Sequence, residues 1–377
     1  MTDDCFHPEP WARHRHLQSM FASMKIRAVG DNPMLRASRE VIVDAGEGVR
    51  LLGFHSRRPR NSARGLVVLL HGWEGSSDSA YILTTGRFLY CSGYDVFRLN
   101  LRDHGNSHHL NEGLFHGARI EETFQAVSRV AELAEGRPFF FVGFSLGGNF
   151  GLRISRLQVQ RPIANLRHVI SISPALDPYK STLFIDKGFF LYRIYFLNKW
   201  KNSLRKKESL YPGTYQFGRF LHARTCLELT EALMPWFPEY PTYRDYFRQY
   251  TLLGDSLSEL GVPTTIIASA DDPVVPVADL LGLDRGENLS ICLQRYGGHC
   301  GFLGNPFPFR CWLENKIARI LDTTDSDAGG RPATAAERTR TYGSCFPLPE
   351  PCVSCPCRPE ALGGALRFRR ADEADRR

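Results

Sequence analysis

No stretch of this sequence reaches the roughly 18 consecutive apolar residues that a membrane-spanning helix needs. The nearest, Gly188 to Leu197, is short and broken by Arg193. The N-terminus has no apolar signal-peptide core, since Met1 to Cys5 are followed by Pro8, Pro10, Arg13, His14 and Arg15. A strong excess of one charge is also missing. The chain carries 47 basic and 40 acidic residues, and no basic stripe with spaced aromatics marks a nucleic-acid groove. The ten cysteines show no framework spacing. Cys5, Cys91, Cys226, Cys292, Cys300 and Cys311 are scattered, and Cys345, Cys352, Cys355 and Cys357 match no closed zinc site of four thiolates. These absences lead us to expect a cytoplasmic globular protein with reduced thiols, no metal, no cofactor and no nucleic-acid partner.

What is present alternates between strands and helices. Glu40 to Asp44 and Val49 to His55 flank the turn Ala45-Gly46-Glu47-Gly48 and read as a β-hairpin. Leu66 to Leu70 is then apolar throughout, as a strand buried on both faces requires. Tyr94 to Leu101, Pro138 to Gly143, His168 to Ser173 and Pro263 to Ser269 repeat the signature. Helical patterns lie between them, such as Ile120, Phe124, Val127, Val130 and Leu133 on one face. The expectation is an α/β fold with a mostly parallel sheet covered on both sides. Residues 1–36 read as an N-terminal extension, 37–176 and 260–322 as two parts of one core, and 177–259 as a helical cap inserted between strands. Residues 323–377 lose periodicity and read as a disordered tail.

Gly143-Phe144-Ser145-Leu146-Gly147 follows a strand directly and precedes a helical segment, the setting of a nucleophile elbow. A serine hydroxyl needs a base to take its proton and a carboxylate to orient that base. Both occur downstream in the order this fold uses. Asp272 precedes a proline turn after the strand Thr264 to Ser269, and His299 lies in Tyr296-Gly297-Gly298-His299 after Ser290 to Leu293. Asp271 competes for the acid role, but successive residues leaving a strand point to opposite sides, and Asp272 directly precedes the turn. Stabilising an oxyanion takes two backbone N–H groups, for which Leu146 and Trp73, in His71-Gly72-Trp73-Glu74-Gly75, are the candidates. Trp73 could instead only pack in the core. His104, His108, His109 and His116 cluster nearby and read as hydrogen-bonded loop histidines at the site mouth rather than metal ligands. In the cap, Phe189 to Lys207 reads as an amphipathic helix lining an acyl pocket. Lys199, Lys201, Arg205, Lys206 and Lys207 would lie at its mouth, toward an anionic head group or membrane surface; the alternative is that the aromatics pack the cap against the sheet and the basic residues are an ordinary solvated face.

Four motifs in order resemble the YheT-like α/β-hydrolases, related to the α/β-hydrolase-domain lipases and esterases. They are His71 to Ser76, Gly143 to Asn149, Ala270-Asp271-Asp272-Pro273 and Gly297 to Phe302. His16-Leu17-Gln18-Ser19 also looks like the short motif that precedes the fold in that branch. The likeness spans Pro8 to Leu321 and is loose over Lys180 to Glu259. It implies the α/β-hydrolase fold and carboxylic-ester hydrolysis, with Ser145, Asp272 and His299 as the triad and an ester or lipid as substrate. Two rival readings are an aminopeptidase on the same fold and a non-catalytic ligand-binding scaffold. The first needs acidic groups in the cap, whose first helix is instead basic, and the second usually shows a broken triad.

Overall fold

The computed structural model describes residues 5–59, 62–218, 220–306 and 309–328. Eight strands form one sheet: β1 (Ser38–Asp44), β2 (Arg50–Ser56), β3 (Leu66–Leu70), β4 (Asp95–Leu99), β5 (Phe139–Phe144), β6 (Leu166–Ile172), β7 (Thr264–Ser269) and β8 (Leu289–Gln294). Their order is β1-β2-β4-β3-β5-β6-β7-β8, antiparallel at the β1–β2 and β2–β4 pairs and parallel from β4 to β8. A small antiparallel pair, β9 (Leu303–Pro306) and β10 (Phe309–Cys311), stands apart. The helices are α1 (Arg15–Ala22), α2 (Pro33–Arg36), α3 (Ala80–Cys91), α4 (Ile120–Glu132), α5 (Leu146–Leu157), α6 (Pro178–Lys187), α7 (Phe190–Leu210), α8 (Cys226–Leu233), α9 (Tyr243–Arg248), α10 (Val277–Leu281) and α11 (Trp312–Ala328).

Continuous apolar runs become central strands because both sheet faces are covered. Every residue of β3 and β5 is buried. The period-2 alternation sends Leu66, Val68, Phe139 and Phe141 to one face, against Phe124, Val127 and Val130 of α4 and Phe150 of α5. Val67, Leu69, Phe140 and Val142 go to the other, against Ile82 and Leu89 of α3 and Ile317 and Leu321 of α11. At about 1.5–3 kcal/mol for each large apolar side chain removed from water, these two layers dominate the stability of the domain. This is the α/β-hydrolase fold.

The insertion between β6 and β7 is helical, α6 to α9, and has its own apolar cluster, with Ile185, Leu197, Leu204, Phe217, Leu229 and Phe237. Two expectations need correction, and one element was not foreseen. The last helix runs to Ala328, past the position where the tail was expected to begin, and residues 329–377 lie outside the described residues. The β9–β10 pair was not foreseen, because runs of three or four residues carry too little periodicity to detect. Cys5, read as a reduced thiol, is disulfide-bonded, while Cys91, Cys226, Cys292, Cys300 and Cys311 form no disulfide. Pairing follows proximity in the fold, which scattered spacing does not report. No described helix is long and apolar enough to cross a membrane.

Candidate active site

Ser145 occupies the turn between β5 and α5 with φ +53° and ψ −115°, a conformation that L-residues rarely adopt. Two flanking glycines make the turn possible. A Cβ on Gly143 would stand 2.2 Å from the carbonyl oxygen of Gly147, and one on Gly147 would stand 2.4 Å from that of Leu70. The Ser145 N–H donates to the Ile172 carbonyl at 2.8 Å, locking the elbow to β6.

The structure brings the three sequence candidates together. His299 Nε2 is 2.9 Å from Ser145 Oγ, and His299 Nδ1 is 2.9 Å from Asp272 Oδ2. The other carboxylate oxygen of Asp272 accepts from the N–H groups of Val274 and Val275 at 2.8 and 2.9 Å, which fixes its direction. Asp271 points elsewhere and accepts from Gly298 N–H at 2.9 Å. Burial works against the His299 imidazolium, but the Asp272 charge and hydrogen bond, with a contribution from Cys300, hold its pKa well above the usual histidine value. Such an arrangement can pass a proton from the hydroxyl to the imidazole while the carboxylate stabilises the resulting cation.

Neither Trp73 N–H nor Leu146 N–H finds an acceptor among the described residues. Leu146 opens α5, where the first amides of a helix have no internal partner. The Trp73 loop is held from two sides. His71 donates from Nδ1 to the Gly72 carbonyl (2.7 Å) and accepts from Leu101 N–H at Nε2 (3.2 Å). His104 Nε2 accepts from Glu74 N–H (3.2 Å), and its Nδ1 donates to the Arg102 carbonyl (2.7 Å). Acceptance at Nε2 requires neutral rings, and burial pushes His104 down to about 4 and His71 well below its ordinary value. From the cap side, the Trp73 indole stacks on Phe196 (5.3 Å, 6°) and meets Trp200 edge-on (5.0 Å), so its side chain packs while its N–H stays unpaired. Lys199 Nζ donates to the Glu74 carbonyl at 2.9 Å.

The histidine cluster therefore divides by role. His104 supports the loop, His108 Nε2 pairs with Ser203 Oγ at 2.8 Å, and His116 lines the cavity with no hydrogen bond, contrary to the expectation of hydrogen-bonded loop histidines. The cap basic residues also differ from expectation. Lys207 is buried and not at the mouth, with Nζ 2.7 Å from Asp103 Oδ1 and further bonds to the carbonyls of His108, Asn111 and Gly113. A long side chain on a helix can turn its head inward when carbonyls await it, and one-dimensional charge spacing does not report that. Lys201 donates to the Ala223 carbonyl, Arg205 to Asn202 Oδ1 and Lys206 to Asn106 Oδ1.

Sequence reasoning gave α1 no part in the site, although Gln18 and Ser19 stood in a motif. Ser19 Oγ accepts from His299 N–H at 2.8 Å. Gln18 bonds both the N–H and the carbonyl of Leu303, at 2.8 and 2.9 Å. A Cβ on Gly298 would meet the Arg15 carbonyl oxygen at 2.4 Å, so that glycine lets α1 close against the histidine loop.

An open cavity reaches Ser145. Its wall is aromatic and aliphatic, with Trp73, Phe196, Trp200, Phe237 and Tyr250 prominent.

The chain belongs to the α/β hydrolase family, whose signature matches residues 67–309. Among relatives, it is 26% identical over 292 residues to a Synechocystis sp. protein named "Putative esterase slr0264", covering 70% of this chain and 77% of that one. It is 22% identical over 261 residues to the Mus musculus phospholipase ABHD3, covering 68% and 62%. Among solved structures, the Pyrococcus furiosus esterase Pf2001 superposes with a TM-score of 0.48 at 15% identity, covering 76% of this chain and 92% of that one.

Proposed function

We propose that this protein is a serine hydrolase of carboxylic esters, of the YheT-like branch, working through an acyl-enzyme on Ser145. Residues 177–259 act as its cap. The observation that carries the reading is the relay Ser145 Oγ–His299–Asp272, with two 2.9 Å contacts, at the floor of an apolar cavity. Ser145 Oγ attacks the ester carbonyl carbon as its proton passes to His299 Nε2, and the oxyanion that forms is held by the N–H groups of Trp73 and Leu146. The leaving alcohol takes the proton from His299. Water, deprotonated by the same nitrogen, then cleaves the acyl-enzyme. The similarity to an esterase-named protein and a phospholipase supports an ester or lipid substrate. The cavity wall supports an apolar arm rather than the ammonium group of a peptide, since its polar groups are hydroxyls and one neutral imidazole. Exposure to a fluorophosphonate probe tests the reading. The unmodified protein should be labelled at Ser145, and a protein that stayed unlabelled would be a scaffold.

A further inference from the structure

The cavity beside Ser145 is mostly apolar, but some of the buried polar groups that line it lack partners. Tyr246 is buried there, and its hydroxyl oxygen accepts from Gly117 N–H at 3.0 Å and from the Tyr250 hydroxyl at 2.9 Å. Both lone pairs are thereby used, and the Tyr246 proton has no acceptor among the described residues. The close approach depends on Gly117, because a Cβ at that position would lie 2.7 Å from the Tyr250 ring. His116 is 4% exposed and stands edge-on to Tyr246, with ring centroids 5.9 Å apart. Neither of its ring nitrogens makes a hydrogen bond. Burial, with Arg119, Arg102 and Arg153 adding to it, pushes its pKa down to about 3, so the ring is neutral with one N–H and one lone pair. Nε2 lies 3.3 Å from Glu239 Oε1, outside hydrogen-bond geometry, which favours the proton on Nε2 and leaves Nδ1 as an acceptor. Ser181 Oγ from α6 also lines the cavity, buried and without a partner.

Buried donors and acceptors are ordinarily paired, and a site that leaves several unpaired in one cavity is complementary to a polar group brought by a ligand. A free donor beside a free acceptor selects that group. A hydroxyl can take the Tyr246 proton and give its own to His116 Nδ1. A methylene can do neither, and a ketone only the first. We infer that Tyr246 and His116 together receive a hydroxyl carried on the apolar arm of the ester, so that hydroxylated esters are the preferred substrates. This rests on the acyl-enzyme reading above and adds the substrate class to it.

The experiment uses the full chain and nitrophenyl esters of linear acids in three matched sets: plain, with a hydroxyl walked along the chain, and with a keto group at the same positions. At one position the hydroxyl should raise kcat/KM about tenfold over the plain and keto esters, the order expected for paired hydrogen bonds in a closed site. Tyr246→Phe and His116→Leu, each checked for folding by circular dichroism, should bring that ratio close to one, whatever their turnover of plain ester. A ratio near one at every position in the unmodified protein overturns the inference, as does a preference that survives both substitutions. Fluorophosphonate labelling of the same preparation separates the two claims. Labelling without hydroxyl preference sinks the pocket inference alone, whereas no labelling sinks the acyl-enzyme reading. In that second case, quenching of Trp73 and Trp200 fluorescence by hydroxylated against plain fatty acids still reads the pocket, and equal affinities overturn it.

Discussion

Ser145 has a backbone geometry that the glycines around it permit and that the β6 contact enforces, so its hydroxyl can be removed with little effect on the fold. Ser145→Ala should therefore leave thermal unfolding unchanged while lowering kcat by about 10⁶, measured on a soluble ester. The two aspartates separate by what they hold. Asp272→Asn keeps the two amide contacts of its loop but loses the charge that orients and stabilises His299, and should cost about 10⁴ in kcat. Asp271→Asn, whose carboxyl accepts from Gly298 N–H rather than from His299, should cost far less. A reversed order, with both proteins folded, would make Asp271 the acid. The pH dependence follows from the same geometry. A base works in its neutral form, and the His299 pKa is raised well above the ordinary value of 6.5, so kcat/KM should fall as pH drops through that raised pKa. Asp272→Asn should move this limb to lower pH, and a limb that stayed in place would show that Asp272 is not what raises it.

Two helices extend the site beyond its reacting groups. Because α1 holds the His299 loop through Ser19, Ser19→Ala should lower kcat with little change in KM, and Ser19→Thr, which keeps a hydroxyl, should recover part of the loss. A drop confined to KM would mean that α1 shapes substrate binding instead. The buried Lys207 ties α7 to the loop that carries Asp103 and His108. Lys207→Met leaves the buried Asp103 carboxylate without its cation, with the Phe115 N–H still donating to it, and should destabilise the protein by about 3–5 kcal/mol, read as a lower urea midpoint. What the sequence disclosed here depends on range. The elbow was legible because strand, serine and glycines are consecutive, and His299 and Asp272 because each follows a strand in a known order. The part played by Gln18 and Ser19 was not, since it exists only when residues some 280 positions apart meet. The inward turn of Lys207 was hidden for a related reason: charge spacing along a helix records which face a residue occupies, not what loop is laid against that face.

For the whole molecule, strand order and layering were legible from continuous apolar runs, whose burial on both faces leaves few arrangements. The segment 177–259 was legible only as a helical insertion. Its aromatic side chains were foreseen as pocket lining, and Phe196 and Trp200 take that place. Its outer basic residues reach protein carbonyl and amide oxygens, which predicts that reversing Arg205 and Lys206 together will leave turnover of a soluble ester within twofold. Binding to anionic vesicles that fell steeply with added salt and vanished in this variant would assign those two residues to a membrane surface.

The contact between Ser19 and His299 also sets a timetable. It closes a loop spanning most of the described chain, and the entropy of bringing such distant segments together must be met before the contacts between them can compensate for it. The sheet can form from nearer neighbours, since β3, β4, β5 and β6 lie within residues 66–172. On dilution from denaturant, helical circular dichroism should therefore recover before the ability of Ser145 to react with a fluorophosphonate, and shortening the chain before α1 should leave that lag in place while removing α1 abolishes the late phase. A nascent chain would accordingly stay chemically silent until the His299 loop has left the ribosome and folded back against α1.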